Sequence, residues 1–351
     1  MSSVQPSSAQ PTPSSQPKAS SQPTPERIFE VLNGYQQSAA MKAAIELDVF
    51  TAIAEGNKDS AAIAHRCNAA ERGIRILCDF LAVGGLITKQ DGKYGLAPDA
   101  AMFLSRKSPA YMGSVHKFLL SPATLGNIME LTTTVKNGTI SDSEGSTKPE
   151  NPIWVEFARS MAPMMVMPAE MIAKTIGAAQ GKKWKVLDIA AGHGLFGVAL
   201  ARHNPNAEIV ALDWPAVLEV AKENAAAAGV ANRYRTLPGS AFDVDFGAGY
   251  DVILLTNFLH HFDVPTNEKL LRRVHAALAP GGRVVALEFV PNEDRISPPM
   301  SARFSMVMLA MTVSGDAYTH AQYQKMFSNT GFKSCVLHAP PVGEQLLVAE
   351  K

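Results

Sequence analysis

The run LDIAAGHGLFG at 187–197 sets an acid, Asp188, ahead of glycines at 192, 194 and 197. Glycine there lets the backbone turn tightly and lets a ligand approach with no Cβ in the way. Gly192 to Gly197 satisfies GxGxxG, and Asp213 follows at the spacing of about 20 residues that a nicotinamide-dinucleotide site uses. The turn alone leaves two ligands open, a dinucleotide or the methyl donor S-adenosylmethionine. Three features favour the donor. Asp188 closes a predicted strand just before the turn, where it repels a pyrophosphate but receives the amino group of a methionine moiety. The closing FKSCVLHAPPVGEQLLVAE reads as a β-hairpin appended to the sheet, which an open dinucleotide fold does not need. LAPGGRVVALE places a Pro280-Gly281-Gly282 turn before a fifth strand.

The elements that must position these residues are legible after Gly181. VLDIAA, AEIVALD, YRTL, YDVILLTNF, GRVVALEFV and QLLVAE read as strands, and helices alternate with most of them, as in a doubly wound α/β sheet. In NEKLLRRVHAAL, Leu271, Val274 and Leu278 share one helical stripe. Ligands of such sheets bind at the carboxyl ends of the strands. Residues 180–351 are therefore expected to form the ligand-binding domain.

Residues 26–110 read differently. GYQQSAAMKAAIELDVFTAIAEG places Ala40, Ala43, Ala44, Leu47 and Phe50 on one stripe, SAAIAHRC and ERGIRILCDFLAVGGL supply two more helices, and LITKQDGKYGLA alternates around an Asp91-Gly92 turn. This is a winged-helix pattern, but its third helix shows no basic face for DNA. Docking on another subunit is the expected use of its apolar face. Residues 111–179 read as a helical linker dense in methionine, suited to core gaps or to an adaptable pocket. The Ser/Pro/Gln-rich residues 1–25 read as a disordered tail.

Over 351 residues the formal net charge is zero, with 46% hydrophobic and 18% charged residues. That balance provides no field for nucleic acid or anionic lipid. No apolar run is long enough for a membrane span, and the N-terminus resembles neither a secretory signal nor a transit peptide. Three scattered cysteines without a C-x-x-C pair point to no zinc site and to a reducing, cytosolic setting.

From about residue 28 to 351 the chain resembles the dimeric small-molecule O-methyltransferases, the group of plant caffeate-type, hydroxyindole-type and bacterial polyketide-tailoring enzymes. The resemblance implies a Rossmann-like methyltransferase sheet, a winged-helix dimerisation domain, a homodimer and a small, aromatic acceptor. It makes Asp213 the acceptor of both ribose hydroxyls of S-adenosylmethionine, with Trp214 beside it; two carboxylate oxygens suit that task. It lays Gly239, Ser240, Ala241 and Phe242 along the adenine, with Ser240 in place of the usual acid. Ala190 and Ala191 stand where glycines are usual, and Gly192 and Gly194 are kept.

The same resemblance matches Leu259-His260 to the general base, and Glu288 to the acid that orients it. An imidazole of pKa ~6.5 can take the proton of a phenol of pKa ~10 as the oxygen attacks the methyl group. His261 is the rival base. A second acid is usual where Ala317 stands, so either adjacent Asp316 substitutes, or one acid suffices, or the nucleophile is no phenol. Phe157 and Met161, with Met308, Met311 and Thr312, match the substrate walls. C- or N-methyl transfer on the same fold stays open, as do a nicotinamide oxidoreductase and a winged-helix regulator.

Overall fold

The computed structural model of the chain describes residues 23–142, 145–338 and 343–351. Strands β1 (Ile87–Gln90) and β2 (Lys93–Leu96) pair antiparallel, with Gln90 opposite Lys93. Between them Asp91 and Gly92 both have positive φ, 50° and 75°, which gives a two-residue turn the twist of its flanking strands. Helices Gly34–Glu46, Val49–Ala54, Ser60–Arg66 and Glu71–Val83 precede this wing and share a core with it that includes Phe50, Ile63, Ile74 and Ile87. The single helical stripe expected from Ala40 to Phe50 does not hold. Asp48 takes φ 60° and ends one helix before the next begins at Val49; Phe50 is buried while Leu47 is 38% exposed. Asp tolerates the left-handed conformation better than most residues, and the alanines of this stretch carry too little apolar area to mark the break. The tail reading of residues 1–25 lies, up to residue 22, outside the described residues.

The larger sheet has seven strands: β3 (Trp184–Ile189), β4 (Ala207–Asp213), β5 (Tyr234–Pro238), β6 (Tyr250–Thr256), β7 (Leu278–Glu288), β8 (Ser334–His338) and β9 (Gln345–Glu350). Their order is β5-β4-β3-β6-β7-β9-β8. The first five run parallel, and β9 lies antiparallel between β7 and β8. The C-terminal hairpin expected from the sequence is this β8–β9 pair; residues 339–342, which join it, lie outside the described residues. Pro280-Gly281-Gly282 is not a turn ahead of the fifth strand. It lies inside β7, where pairing jumps from Tyr250↔Leu278 to Val252↔Arg283, so the extra residues are absorbed as an irregularity in a continuous strand.

Period-two alternation divides the sheet between two cores. Val186, Ile209, Val252, Leu254, Val285 and Leu287 face one side, with helices Ile153–Thr175, Leu195–His203 and Pro215–Ala227 over them. Leu187, Ile189, Leu212, Ile253, Leu255 and Ala286 face the other, under helices Val264–Ala277 and His320–Asn329. The topology reverses between β3 and β6, and loops from both sides meet at that carboxyl edge. Behind it Arg233 ties three elements together. Its guanidinium donates to the carbonyls of Ala201, Asn204 and Ala207 at 2.8, 3.0 and 3.0 Å, joining the end of one helix and the start of β4 to the start of β5. Arg233→Met strands those acceptors and is expected to cost about 2–4 kcal/mol; a urea midpoint within error of wild type would show that the carbonyls find other partners.

Candidate active site

Strand β3 ends in the glycine turn, and the turn is tied to the next strand. Ala191 N–H donates to the Leu212 carbonyl at 3.1 Å, and Gly192 N–H donates to Asp213 Oδ2 at 2.8 Å. The other oxygen of Asp213 accepts Trp214 N–H at 2.7 Å. Burial pushes the Asp213 carboxyl up to about 6, against the pull of these two N–H groups. The Gly192 amide is thus committed to a carboxylate, where a dinucleotide site would offer it to a pyrophosphate. The turn keeps the shape of GxGxxG and has the wrong electrostatics for phosphate.

The two glycines do different work. Gly192 lines the cavity, and its surroundings are open. Gly194 does not line it. A Cβ on Gly194 would fall 2.5 Å from Tyr234 Oη and 2.9 Å from the Ala221 Cβ, at φ +74°, so packing against β5 and its neighbouring helix demands glycine there. Asp188 also sits behind the wall. It is fully buried, Oδ2 accepts Gly197 N–H at 3.1 Å, Oδ1 has no partner, and burial raises its pKa to about 8. This placement makes it a brace between β3 and the first turn of the following helix. Ala190, where glycine is usual, is held at φ 54°, a conformation that costs a Cβ-bearing residue about 1–2 kcal/mol.

A cavity of about 540 Å³ runs from this turn to the end of β7. Trp214, Gly239, Ser240, Ala241 and Phe242 line one end, together with Asp243. The Ser240 hydroxyl accepts Phe242 N–H at 3.1 Å, which uses it to shape the loop. Arg273 holds the same loop through the carbonyls of Ala241 and Val244. Phe242 packs on Phe258 and Phe262, at ring separations of 6.4 and 5.0 Å.

At the other end β6 stops at Thr256, Asn257 takes φ 54°, and Leu259–His261 makes one short helical turn. His260, 3% exposed, lines the cavity. Its Nδ1 lies 2.5 Å from Glu288 Oε2, while Glu288 Oε1 accepts the N–H groups of Phe258 and Leu259 at 3.1 and 2.8 Å. With Nδ1 so engaged, Nε2 is the ring nitrogen left to meet an acceptor hydroxyl. His261 also lines the cavity, but its Nδ1 is buried without a partner, and burial, helped by neighbouring His260, holds it well below the usual imidazole range. That environment disfavours a proton on His261. Asp316 does not stand in for the second acid: Oδ2 pairs with Arg295 at 3.0 Å and Oδ1 accepts Ala317 N–H at 2.8 Å. Only the backbone amide of Asp316 turns inward, donating to the His260 carbonyl at 3.0 Å.

Phe157 and Met161 from the long helix, and Met308 and Met311 from helix Pro299–Met311, line the cavity. Thr312 does not; its hydroxyl donates to the Met308 carbonyl at 2.7 Å and accepts Gly315 N–H at 2.9 Å. Sequence reasoning missed Trp154, Asn257, Phe304 and Glu344, which share the cavity wall. Phe304 stacks on Phe289 at 3.9 Å and meets the His260 ring edge-on at 4.8 Å. The left-handed Asn257 directly after a strand is a signal that could have been read; Glu344 has none, because an acid before a terminal strand ordinarily faces water.

A seven-stranded sheet of this order, a glycine turn clamped by a strand-end carboxylate, and a His–Glu pair across an aromatic cavity define a methyltransferase. Sequence models then specify the family. The O-methyltransferase domain matches residues 150–333, and the O-methyltransferase dimerisation domain matches residues 29–106. The chain belongs to the O-methyltransferase family. It is 27% identical over 310 residues to a 3-hydroxy-5-methyl-1-naphthoate 3-O-methyltransferase of Streptomyces sahachiroi, covering 88% of this chain and 89% of that one. A bacteriochlorophyllide d C-20 methyltransferase of Chlorobaculum tepidum is 24% identical over 328 residues, 88% of this chain and 91% of its own. The crystal structure of a candidate O-methyltransferase from Nostoc punctiforme superposes with a TM-score of 0.91 at 52% identity, covering 94% of this chain and 100% of that one.

If Asp213 accepts the ribose hydroxyls of the donor, as the family resemblance implies, it does so best when ionised, and affinity for the donor should then follow its charge. Calorimetry with S-adenosylhomocysteine is expected to give constant affinity above about pH 7 and weaker binding as pH falls through about 6. Asp213→Asn should bind weakly with no such step; a step of the same size in that variant would assign the titration to another group.

Proposed function

We propose that this enzyme transfers the methyl group of S-adenosylmethionine to a hydroxyl of a small aromatic or polyketide-like acceptor, with His260 as general base. The observation that carries the reading is the buried His260–Glu288 pair facing the cavity that also holds Gly192 and Asp213. When bound, S-adenosylmethionine supplies an electrophilic methyl group on a sulfonium. Asp213 would accept the ribose hydroxyls, the Gly239–Phe242 loop would hold the adenine, and Gly192 would keep the turn low enough for close approach. Trp214 closes that end. Asp188 and Gly194 act from behind the wall as packing supports of the turn.

His260 would take the acceptor's O–H proton at Nε2 as the oxygen bonds to the methyl carbon and the carbon–sulfur bond breaks to leave a thioether, and Glu288 would hold the resulting imidazolium in place through Nδ1. Phe157, Met161, Met308 and Met311 exclude water and present flat, polarizable walls to a ring. The remaining requirement is alignment, which a pre-shaped cavity supplies. Thr312 supports that wall through the end of its helix.

The reading extends to assembly. Ile28, Phe29, Val31 and Leu32 are 63, 59, 73 and 64% exposed on the first helix, an apolar face that a second copy of the chain would cover in a homodimer. Among the described residues no helix is long and apolar enough to cross a membrane.

One second reading has a specific observation behind it. Ala317, fully buried, stands where the second acid is usual, and a nucleophile with a free lone pair, such as an amine nitrogen, needs less help from a base than a phenol does. The two readings separate on one variant. His260→Ala is expected to keep S-adenosylhomocysteine affinity and lose turnover by about 10² or more, followed by labelled methyl transfer into a host metabolite extract with mass-spectrometric identification of the product. Unchanged turnover in His260→Ala, or label on carbon or nitrogen, would replace O-methylation with the second reading.

A further inference from the structure

The C-terminal hairpin brings one more acid to the acceptor end of the cavity. Because β9 is antiparallel to β7, its first residue, Gln345, pairs with Glu288, and the residue before it, Glu344, arrives at the carboxyl edge of the parallel strands. Glu344 is 8% exposed and lines the cavity. It lies at the β7 side, near Glu288 and His260, while the residues assigned to the donor sit at the ends of β3, β4 and β5.

Among the described residues the Glu344 carboxyl pairs with no lysine or arginine; its one hydrogen-bonding neighbour is the Asn257 amide. Burial and the Glu288 carboxylate push it up to about 7, opposed by His260 and Asn257. A carboxyl in such a wall is costly unless its lone pairs are used. Neither Glu288, committed to two backbone N–H groups and His260, nor Asp316, committed to Arg295, can supply a donor to it. The cavity's occupant can.

We infer that Glu344 is an acceptor-recognition residue, which takes a hydrogen bond from a second donor group, a hydroxyl or N–H, carried by the acceptor beside the hydroxyl that is methylated. The inference rests on the O-methyl reading for where the acceptor lies. It defines the substrate class more narrowly: a ring bearing the reacting hydroxyl and a neighbouring donor fits, and a ring with one hydroxyl leaves a buried carboxyl unsatisfied once water is expelled. A site built around such a bond discriminates by about tenfold or more against the analogue that lacks it.

The test uses the full chain loaded with S-adenosylhomocysteine and two probes of one shape, 2,3-dihydroxynaphthalene and 2-naphthol, titrated by calorimetry. Wild type is expected to prefer the diol by about tenfold or more, Glu344→Leu to lose that preference, and Glu344→Gln, which can still accept a hydrogen bond, to keep most of it. Equal binding of the two probes to wild type, including none of either, overturns the inference, and so does a preference that survives in Glu344→Leu. S-adenosylhomocysteine affinity is measured in all three proteins. Its loss in wild type would sink the donor assignment, whereas its retention with equal probe binding sinks the role of Glu344 alone.

Discussion

Glu288 is the constraint around which the site is arranged. It ends β7, is fully buried, and is tolerable there because its carboxylate finds three donors: the N–H groups of Phe258 and Leu259 and the Nδ1 of His260. A buried carboxylate short of partners would cost several kcal/mol, so the chain after β6 is obliged to turn its amides toward β7. Asn257 takes a left-handed conformation to make that turn, its own N–H donating to the Leu287 carbonyl at 2.8 Å. One carboxylate thereby fixes the path of a loop, the tautomer of an imidazole and the face that imidazole shows to the cavity.

The acids near the cavity grade by what surrounds them. Asp188 has one backbone donor and no opening, Asp213 has two and faces the cavity, and Glu344 has an amide and faces the same cavity. Among the described residues the charged side chains lining the cavity are Asp213, Asp243, Glu344 and Arg303, three acids to one guanidinium. That balance suits a cationic sulfonium.

Much of this was legible in the sequence, for identifiable reasons. Strands of the parallel sheet are buried on both faces and read as continuous apolar runs, and the Asp91-Gly92 turn has the one chemistry that its backbone accepts. Asp213, His260 and Glu288 stand at strand ends, where a family pattern fixes position to within a residue. The reading failed where local sequence and tertiary packing part company. Gly194 looks like a ligand glycine and is a packing glycine; Pro280-Gly281-Gly282 looks like a turn and is spliced into a strand. Asp316 lies next to the expected acid, yet Arg295, distant in sequence, draws it to the surface. Glu344 enters only because β9 inserts antiparallel beside β7, a fact of topology that no short window contains.

The walls that would meet an acceptor and the loops that would hold the donor are carried by different elements. Phe157 and Met161 ride on one helix, Met308 and Met311 on another, and neither helix supplies a partner to Asp213 or Glu288. Methionine tolerates replacement by other apolar residues of similar volume at small cost. A substitution in either helix can therefore reshape those walls without disturbing the contacts that hold Asp213 and Glu288 in place.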